Sequence, residues 1–215
     1  KQYLLITSSF IQMMFLVSAC SFKSQIDSNY YCQKLKLNCV KNNKIAYFIT
    51  SKGNFEVKLF GKDNPVTVSN FIENINNDIY KNKRFYKIIN YPQVKVIHSG
   101  IFPNKYYEKE NQNLKKIRRN IPLEIKLKKE SEPIYKNQFT EPSEIINIVN
   151  SFERGSIAMV KRGERNSSST EFFFVTSKFP ELNGRYSIFG KIVEGIEIIE
   201  KIEEKDIIYE ITISN

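Results

Sequence analysis

From residue 45 to residue 214 the apolar side chains come in short runs that alternate with polar ones, and only two stretches repeat at helical spacing. Strand residues point alternately to opposite faces, so this pattern demands a sheet with one face buried. Residues 45–51 and 55–60 read as a hairpin about Lys52-Gly53-Asn54, whose glycine permits a tight turn. Strands are also predicted at 85–89, 94–97, 155–160, 172–176, 187–192 and 207–214. An edge strand is predicted at 122–125, where a leading proline is tolerated. Asn64-Pro65 offers a cap and a first-turn proline for a helix carrying Val68, Phe71, Ile72 and Ile75 on one face. A second helix starts near Val193 and aligns Ile196, Ile199 and Ile202, and residues 143–150 suit a short helical turn. Many strands with two helices predict a mainly β fold: a closed eight-stranded antiparallel barrel capped by two helices, with no sheet edge left open.

The 215 residues are 41% apolar and 13% aromatic, enough to close one core and too apolar for a disordered chain. Eight glycines and seven prolines rule out collagen-like and low-complexity architectures. Three cysteines and a single histidine would all have to converge to fill even one four-ligand Cys/His zinc site, and no metal or cofactor is expected. The formal charge is +10, and residues 81–130 hold all of it, with 14 Lys or Arg against 4 Asp or Glu. A solvated loop is the simplest reading of that region, and its Lys115-Lys116-Ile117-Arg118-Arg119 run also suits contact with anionic lipid. No nucleic acid partner is expected, because no aromatic interleaves with that run to stack on a base.

Lys1 precedes an uncharged stretch from Tyr3 to Ala19 that ends in small residues before Cys20. A positive start, an apolar centre and a small-residue end are the parts of an export signal. Leu16-Val17-Ser18-Ala19-Cys20 also resembles the lipobox of bacterial lipoproteins, which would make Cys20 the lipidated mature N-terminus. The chain is then expected on the extracytoplasmic side of a membrane, in the periplasm or its equivalent. An uncleaved anchor and an ordinary signal peptide are the other readings, and all three export the chain. Residues 20–44 are polar, show no clear apolar period and read as a tether after a signal at 1–19. The folded domain is expected at 45–215, with a basic insertion at about 101–154. Outside the cytoplasm Cys32 and Cys39 meet an oxidising compartment, where they either pair or stay as two thiols.

Several short segments stand in order along the domain. They include Thr50-Ser51-Lys52-Gly53-Asn54-Phe55, Pro65-Val66-Thr67-Val68-Ser69-Asn70-Phe71, Tyr80 with Phe85-Tyr86-Lys87-Ile88-Ile89, and Ile97-His98-Ser99-Gly100. Gly155-Ser156-Ile157-Ala158-Met159, Ser169-Thr170-Glu171-Phe172-Phe173-Phe174 and Leu182-Asn183-Gly184-Arg185-Tyr186-Ser187-Ile188-Phe189-Gly190 follow. In this order and spacing they resemble the cyclophilin family of peptidyl-prolyl cis/trans isomerases over residues 45–214. The family counterparts of the last five are Y-x4-F-H-R-V-I, I-Q-G-G, G-T-I-A-M, S-Q-F-F and L-D-G-x-[HY]-x-V-F-G. The long insertion resembles that of cyanobacterial relatives.

The resemblance implies an isomerase of X-Pro bonds that assists folding of exported proteins, acts as a monomer and needs no cofactor. Its partners would be proline-containing peptide segments, with the membrane met through the lipid anchor and the basic insertion. An unaided X-Pro bond crosses its barrier in tens to hundreds of seconds, and a donor placed on the proline nitrogen in the twisted state lowers that barrier. In the family the donor is the Arg of F-H-R, which puts Lys87 in the catalytic position; a compact ammonium replaces a planar fork of donors there. By the same resemblance Val96, His98, Glu171, Phe173, Leu182 and Tyr186 line the peptide groove. His98 stands for a Gln, Glu171 for the Gln of S-Q-F-F, Lys95-Val96 for a Phe-Met pair, and Val160-Lys161-Arg162 for small or amide residues. Lys87 is otherwise one more surface lysine, and His98 a hydrogen-bonded structural residue. The departures also fit a second function, that of a catalytically weak peptide-binding chaperone or assembly factor.

Overall fold

The computed structural model describes residues 27–101, 119–163 and 165–214. Strands β1 (Lys44–Thr50) and β2 (Gly53–Leu59) form the predicted hairpin, with Phe48, Phe55, Val57 and Leu59 buried. Helix α1 (Ser28–Leu35) precedes them and α2 (Pro65–Asn76) follows. Next come β3 (Lys83–Arg84), β4 (Lys87–Asn90) and β5 (Lys95–Gly100). The insertion carries β6 (Asn120–Pro122), β7 (Glu124–Ile125), β8 (Ile134–Tyr135) and the one-turn helix α3 (Pro142–Ile145). The chain then forms β9 (Ser156–Lys161), β10 (Asn166–Val175), β11 (Ile188–Glu194), α4 (Ile196–Lys201) and β12 (Ile207–Ile213).

Ten strands make one curled antiparallel sheet, in the order β3-β12-β1-β2-β11-β9-β10-β5-β4 with β6 added on β10; β7 and β8 pair separately. The mainly β, antiparallel expectation therefore stands, but the closed eight-stranded barrel does not. The sheet stays open because its two ends are consecutive pieces of one short segment. Lys83–Arg84 pairs with β12, Lys87–Asn90 pairs with β5, and no ladder joins β3 to β4. Between them, the backbone N–H of Phe85 donates to Asp206 and that of Tyr86 to His98, so the two edges share one segment.

The concave face holds the core. Phe48 stacks on Phe55 with ring centroids 4.7 Å apart, and Phe71 of α2 meets Phe172 edge-on at 5.5 Å. Ile199 and Ile202, from α4 and the residue after it, close the same cluster. On α2, Asn70 and Asn74 turn inward and donate to the backbone carbonyl of Ser169, where the β10 ladder with β9 shifts register. Those bonds satisfy a carbonyl that the bulge takes out of the sheet.

Part of the stretch read as a tether is ordered. Asp27 caps α1 through the Tyr30 N–H, and Cys32 is bonded to Cys39 with Cα atoms 5.8 Å apart. Tyr31, Cys32 and Leu37 bury themselves against Val66 at the start of α2. The sequence hid this helix because it buries only Tyr31 and Cys32, two neighbours rather than a period. Cys20 and most of the Lys115–Arg119 run lie outside the described residues.

The insertion folds onto the domain as well. Leu123, Ile125, Phe139 and Ile148 form a small cluster of their own. Glu124 of β7 is fully buried and its carboxylate accepts from the Val66 N–H at 3.2 Å and the Thr67 N–H at 2.8 Å. This carboxylate caps α2, a role expected of Asn64, whose side chain instead donates to the Glu124 carbonyl at 3.0 Å. Tyr135 of β8 donates to Glu124 at 2.9 Å and stands 2.8 Å from Ser28 Oγ, joining both helices to the insertion.

Burial pushes the Glu124 carboxyl up to about 7 from its ordinary 4.5, against the pull of these donors. The folded state therefore holds the proton more tightly than the unfolded chain. The resulting stability is complete below pH 4.5 and is lost as pH rises through about 7. We expect the melting temperature of the wild type, measured relative to Glu124→Gln, to fall as pH is raised from about 5 to about 8. A difference that stays constant across that window would show that Glu124 titrates normally.

Candidate active site

The convex face of the β4-β5-β10-β9-β11 region carries a continuous cross-strand row. Lys87 pairs with His98, His98 with Phe173, Phe173 with Ala158, and Ala158 with Ile188. Directly opposed residues share a face, so five strands present these side chains together, with Phe172 and Phe174 turned to the core behind them. Around the row lie Val96, Phe152 and Val175, with Val160, Leu182 and Tyr186 packed against them.

The aromatic floor is layered. His98 stacks on Phe173 with centroids 5.4 Å apart, and Phe173 stacks on Phe152 at 5.7 Å. Tyr186 meets Phe173 edge-on at 5.2 Å, forming a wall. Leu182 ends a short 3-10 turn, Pro180–Leu182, and the segment after it is braced from the insertion side. The Phe139 N–H donates to the Gly184 carbonyl at 2.9 Å, and the Phe152 N–H to Asn183 Oδ1 at 2.8 Å. Gly184 has φ +75, and a Cβ there would lie 2.0 Å from the Phe139 carbonyl oxygen, so this contact requires glycine.

Beside the row, two residues from Phe173 along β10, the Glu171 carboxylate is buried with a side-chain exposure of 2%. It accepts from Tyr86 Oη at 2.9 Å and forms an ion pair with Arg162. The Arg162 guanidinium is a third exposed, so this side of the floor is wet and charged while the Phe152–Phe173 side is dry. Burial raises the Tyr86 phenol, and the Glu171 charge raises it further.

The structure brings the sequence-predicted residues Lys87, Val96, His98, Glu171, Phe173, Leu182 and Tyr186 to this one face. Lys95 lies elsewhere: its Nζ donates to the carbonyls of Glu200 at 2.8 Å and Ile202 at 3.3 Å, capping the end of α4. Three members escaped the sequence reading. Phe152 is a lone aromatic at the end of a polar insertion, with no period to mark it. Arg162 stood out only as a departure from small or amide residues, and Tyr86 only as the neighbour of Lys87. Cys32 and Cys39 sit apart, on α1 and the loop that follows it.

The family model described as cyclophilin type peptidyl-prolyl cis-trans isomerase/CLD matches residues 45–214. The chain belongs to this family. Among curated proteins, this cyclophilin is 27% identical to a peptidyl-prolyl cis-trans isomerase of Helicobacter pylori, over 77% of this chain and 84% of that one. It is also 27% identical to peptidyl-prolyl cis-trans isomerase-like 2 of Rhizopus delemar, over 85% of this chain but 28% of that much longer protein. A solved cyclophilin type peptidyl-prolyl cis-trans isomerase of Cryptosporidium parvum shares the fold, with a TM-score of 0.55 and 22% identity over 81% of this chain and 99% of that one. The same protein has been solved in the presence of the dipeptide Ala-Pro, with a TM-score of 0.53 to this chain.

Burial, with the Lys87 charge adding to it, lowers the His98 imidazole from its ordinary 6.5 to about 4. The ring is thus neutral at physiological pH, able to donate from one nitrogen and accept at the other. Because the folded value is depressed, this neutral ring contributes stability above pH 6.5 that is lost as pH falls through about 4. His98 is the only histidine, so its two ring C–H protons give a single, resolvable pair of NMR signals. Their titration is expected to have its midpoint near 4; a midpoint near 6.5 would place the ring in water.

Proposed function

We propose that this cyclophilin-type isomerase turns X-Pro bonds on the convex aromatic face, with Lys87 as the donor to the proline nitrogen and Phe173, Val96, Leu182 and Tyr186 holding the ring. The observation that carries the reading is the register itself: Lys87 stands directly across from His98, and His98 from Phe173. A proline ring seated on Phe173 then has an ammonium on one side and an aromatic wall on the other. No nucleophile is needed, because the reaction breaks only amide resonance. What lowers the barrier is charge placed where the nitrogen lone pair appears in the twisted state. The Cryptosporidium relative solved in the presence of Ala-Pro supports a proline-containing peptide as ligand. His98 and Glu171 then contact the flanking peptide backbone, His98 as a neutral donor or acceptor and Glu171 within its bonded network.

The reading extends to an exported, lipid-anchored monomer that assists folding outside the cytoplasm. The Cys32–Cys39 bond supports an oxidising compartment, since such bonds persist there and are rare in the cytosol. The lipobox-like run before Cys20 supports the anchor, and the basic insertion would lie against anionic headgroups. Intact mass of the membrane-extracted protein checks this. A mature chain beginning at a lipid-modified Cys20 is expected, and a chain that keeps Lys1 or starts beyond Cys20 refutes it.

Activity is expected below that of a cyclophilin with arginine at the donor position, because an ammonium on a flexible stem lacks the preorganised planar fork. Lys87→Arg is expected to raise kcat/KM on a proline peptide about tenfold, which corresponds to roughly 1.4 kcal/mol in the transition state. Lys87→Ala is expected to remove most of the remaining acceleration. If wild type and both variants match the uncatalysed rate while proline peptides still bind, the chain is a peptide-binding chaperone or assembly factor instead.

A further inference from the structure

Four cations border the aromatic floor, two held by side-chain interactions and two placed by the backbone. Lys161 Nζ lies 5.8 Å from the centroid of the Tyr186 ring. Arg185, directly before Tyr186 in the chain, is exposed. Lys87 is exposed opposite His98, and Arg162 reaches Glu171, which lies beside the row two residues from Phe173 along β10. Negative charge is scarcer there. Glu171 is already engaged by Arg162 and Tyr86, and Glu153, next to Phe152, is paired with Lys178 at 3.7 Å. Glu181, on the 3-10 turn, is exposed at the rim. Among the described residues, Glu181 and Glu204, whose carboxylate accepts from the Ile88 N–H at 3.1 Å beside Lys87, are the remaining carboxylates near these cations.

We propose that the groove selects proline segments that carry Asp or Glu within a few residues of the proline, so that its clients are acidic peptide stretches. The inference rests on the convex face being the peptide site. A peptide lying along the row over Phe173 passes Lys87 at one side and the Lys161–Tyr186–Arg185 wall at the other. Carboxylates on either side of the proline meet a cation, whereas Lys or Arg at those places meets like charge. Buried aromatic rings under the peptide exclude water, so these charges are less screened than those on an open surface. Charge complementarity of this kind speeds encounter and suppresses wrong partners more than it adds raw affinity. The Arg162–Glu171 pair adds direction, since the guanidinium, a third exposed, offers a planar donor set to a carboxylate on the Glu171 side of the row only.

The test compares three peptides of equal length with one X-Pro bond each, flanked by Ala, Glu or Lys, in both isomerisation kinetics and NMR titration of the full chain. At low ionic strength the acidic peptide is expected to exceed the neutral one about tenfold in kcat/KM and in affinity, and the basic peptide to fall below it. At about 0.5 M salt the ratio is expected to approach one. Lys161→Glu combined with Arg185→Glu is expected to bring the acidic-to-neutral ratio to one or less. Lys34→Glu, on α1 and outside the groove, is expected to leave the ratio as in wild type. Equal handling of all three peptides, with catalysis and binding present, overturns the selectivity alone. Tight binding of the acidic peptide without turnover overturns catalysis and upholds the selectivity. No turnover and no binding of any peptide overturns both.

Discussion

Along β10, Phe172 and Phe174 point into the core while Glu171, Phe173 and Val175 point outward, and a slip of one residue would exchange the two sets. Forming the aromatic floor of the convex face and filling the core are therefore one constraint. The register is held on both sides, by β5 from Glu171 to Val175 and by β9 from Phe172 to Phe174. Where the β9 ladder breaks, Asn70 and Asn74 of α2 hold the Ser169 carbonyl in place of the missing strand bonds. That bulge lets β10 turn its Glu171 end toward Arg162 while the Phe173 end stays packed. Core helix, bulge and groove thus form one mechanical unit.

A second unit is organised by one buried carboxylate. Glu124 reaches across from the insertion to the first turn of α2, and Tyr135 carries the connection on to the start of α1. A helix N-terminus is electropositive and rich in unsatisfied donors, so an acid supplied from another segment replaces the usual local cap. The Glu124 N–H in turn donates to Ser187 Oγ at 2.8 Å, one residue from Tyr186. The insertion is thereby joined to the groove wall as well as to the helices.

Much of this was legible because period-two alternation is a strong signal where one face is buried. The β1-β2 hairpin, β9, β11 and β12 fall within a few residues of their expected places. Closure of the sheet was not legible, since counting strands does not reveal that 83–90 is split between two edges. Glu124 stood in a predicted edge strand as an ordinary acid; burial depends on what packs over it, which a single sequence does not carry. The groove was read through motif likeness, so residues inside the motifs were found and Phe152, outside them, was missed. Lys95 and Val96 together match a Phe-Met pair of the family, yet strand alternation sends their side chains to opposite sides, one to α4 and one to the groove.

The close approach of Phe139 to Gly184 has a bearing on how such a chain can change over time. Peptide-facing loops often vary freely because nothing rests on them. Here the loop that carries Leu182 and Tyr186 leans by its backbone on a segment that, to judge by its charge alone, looks expendable. Shortening residues 119–154 would not yield a trimmer version of the same groove, since it would withdraw the scaffold from one bank of it. Novelty in recognition is then acquired through the scaffold: lengthening or recharging the insertion retunes the groove's rim without touching the strands beneath.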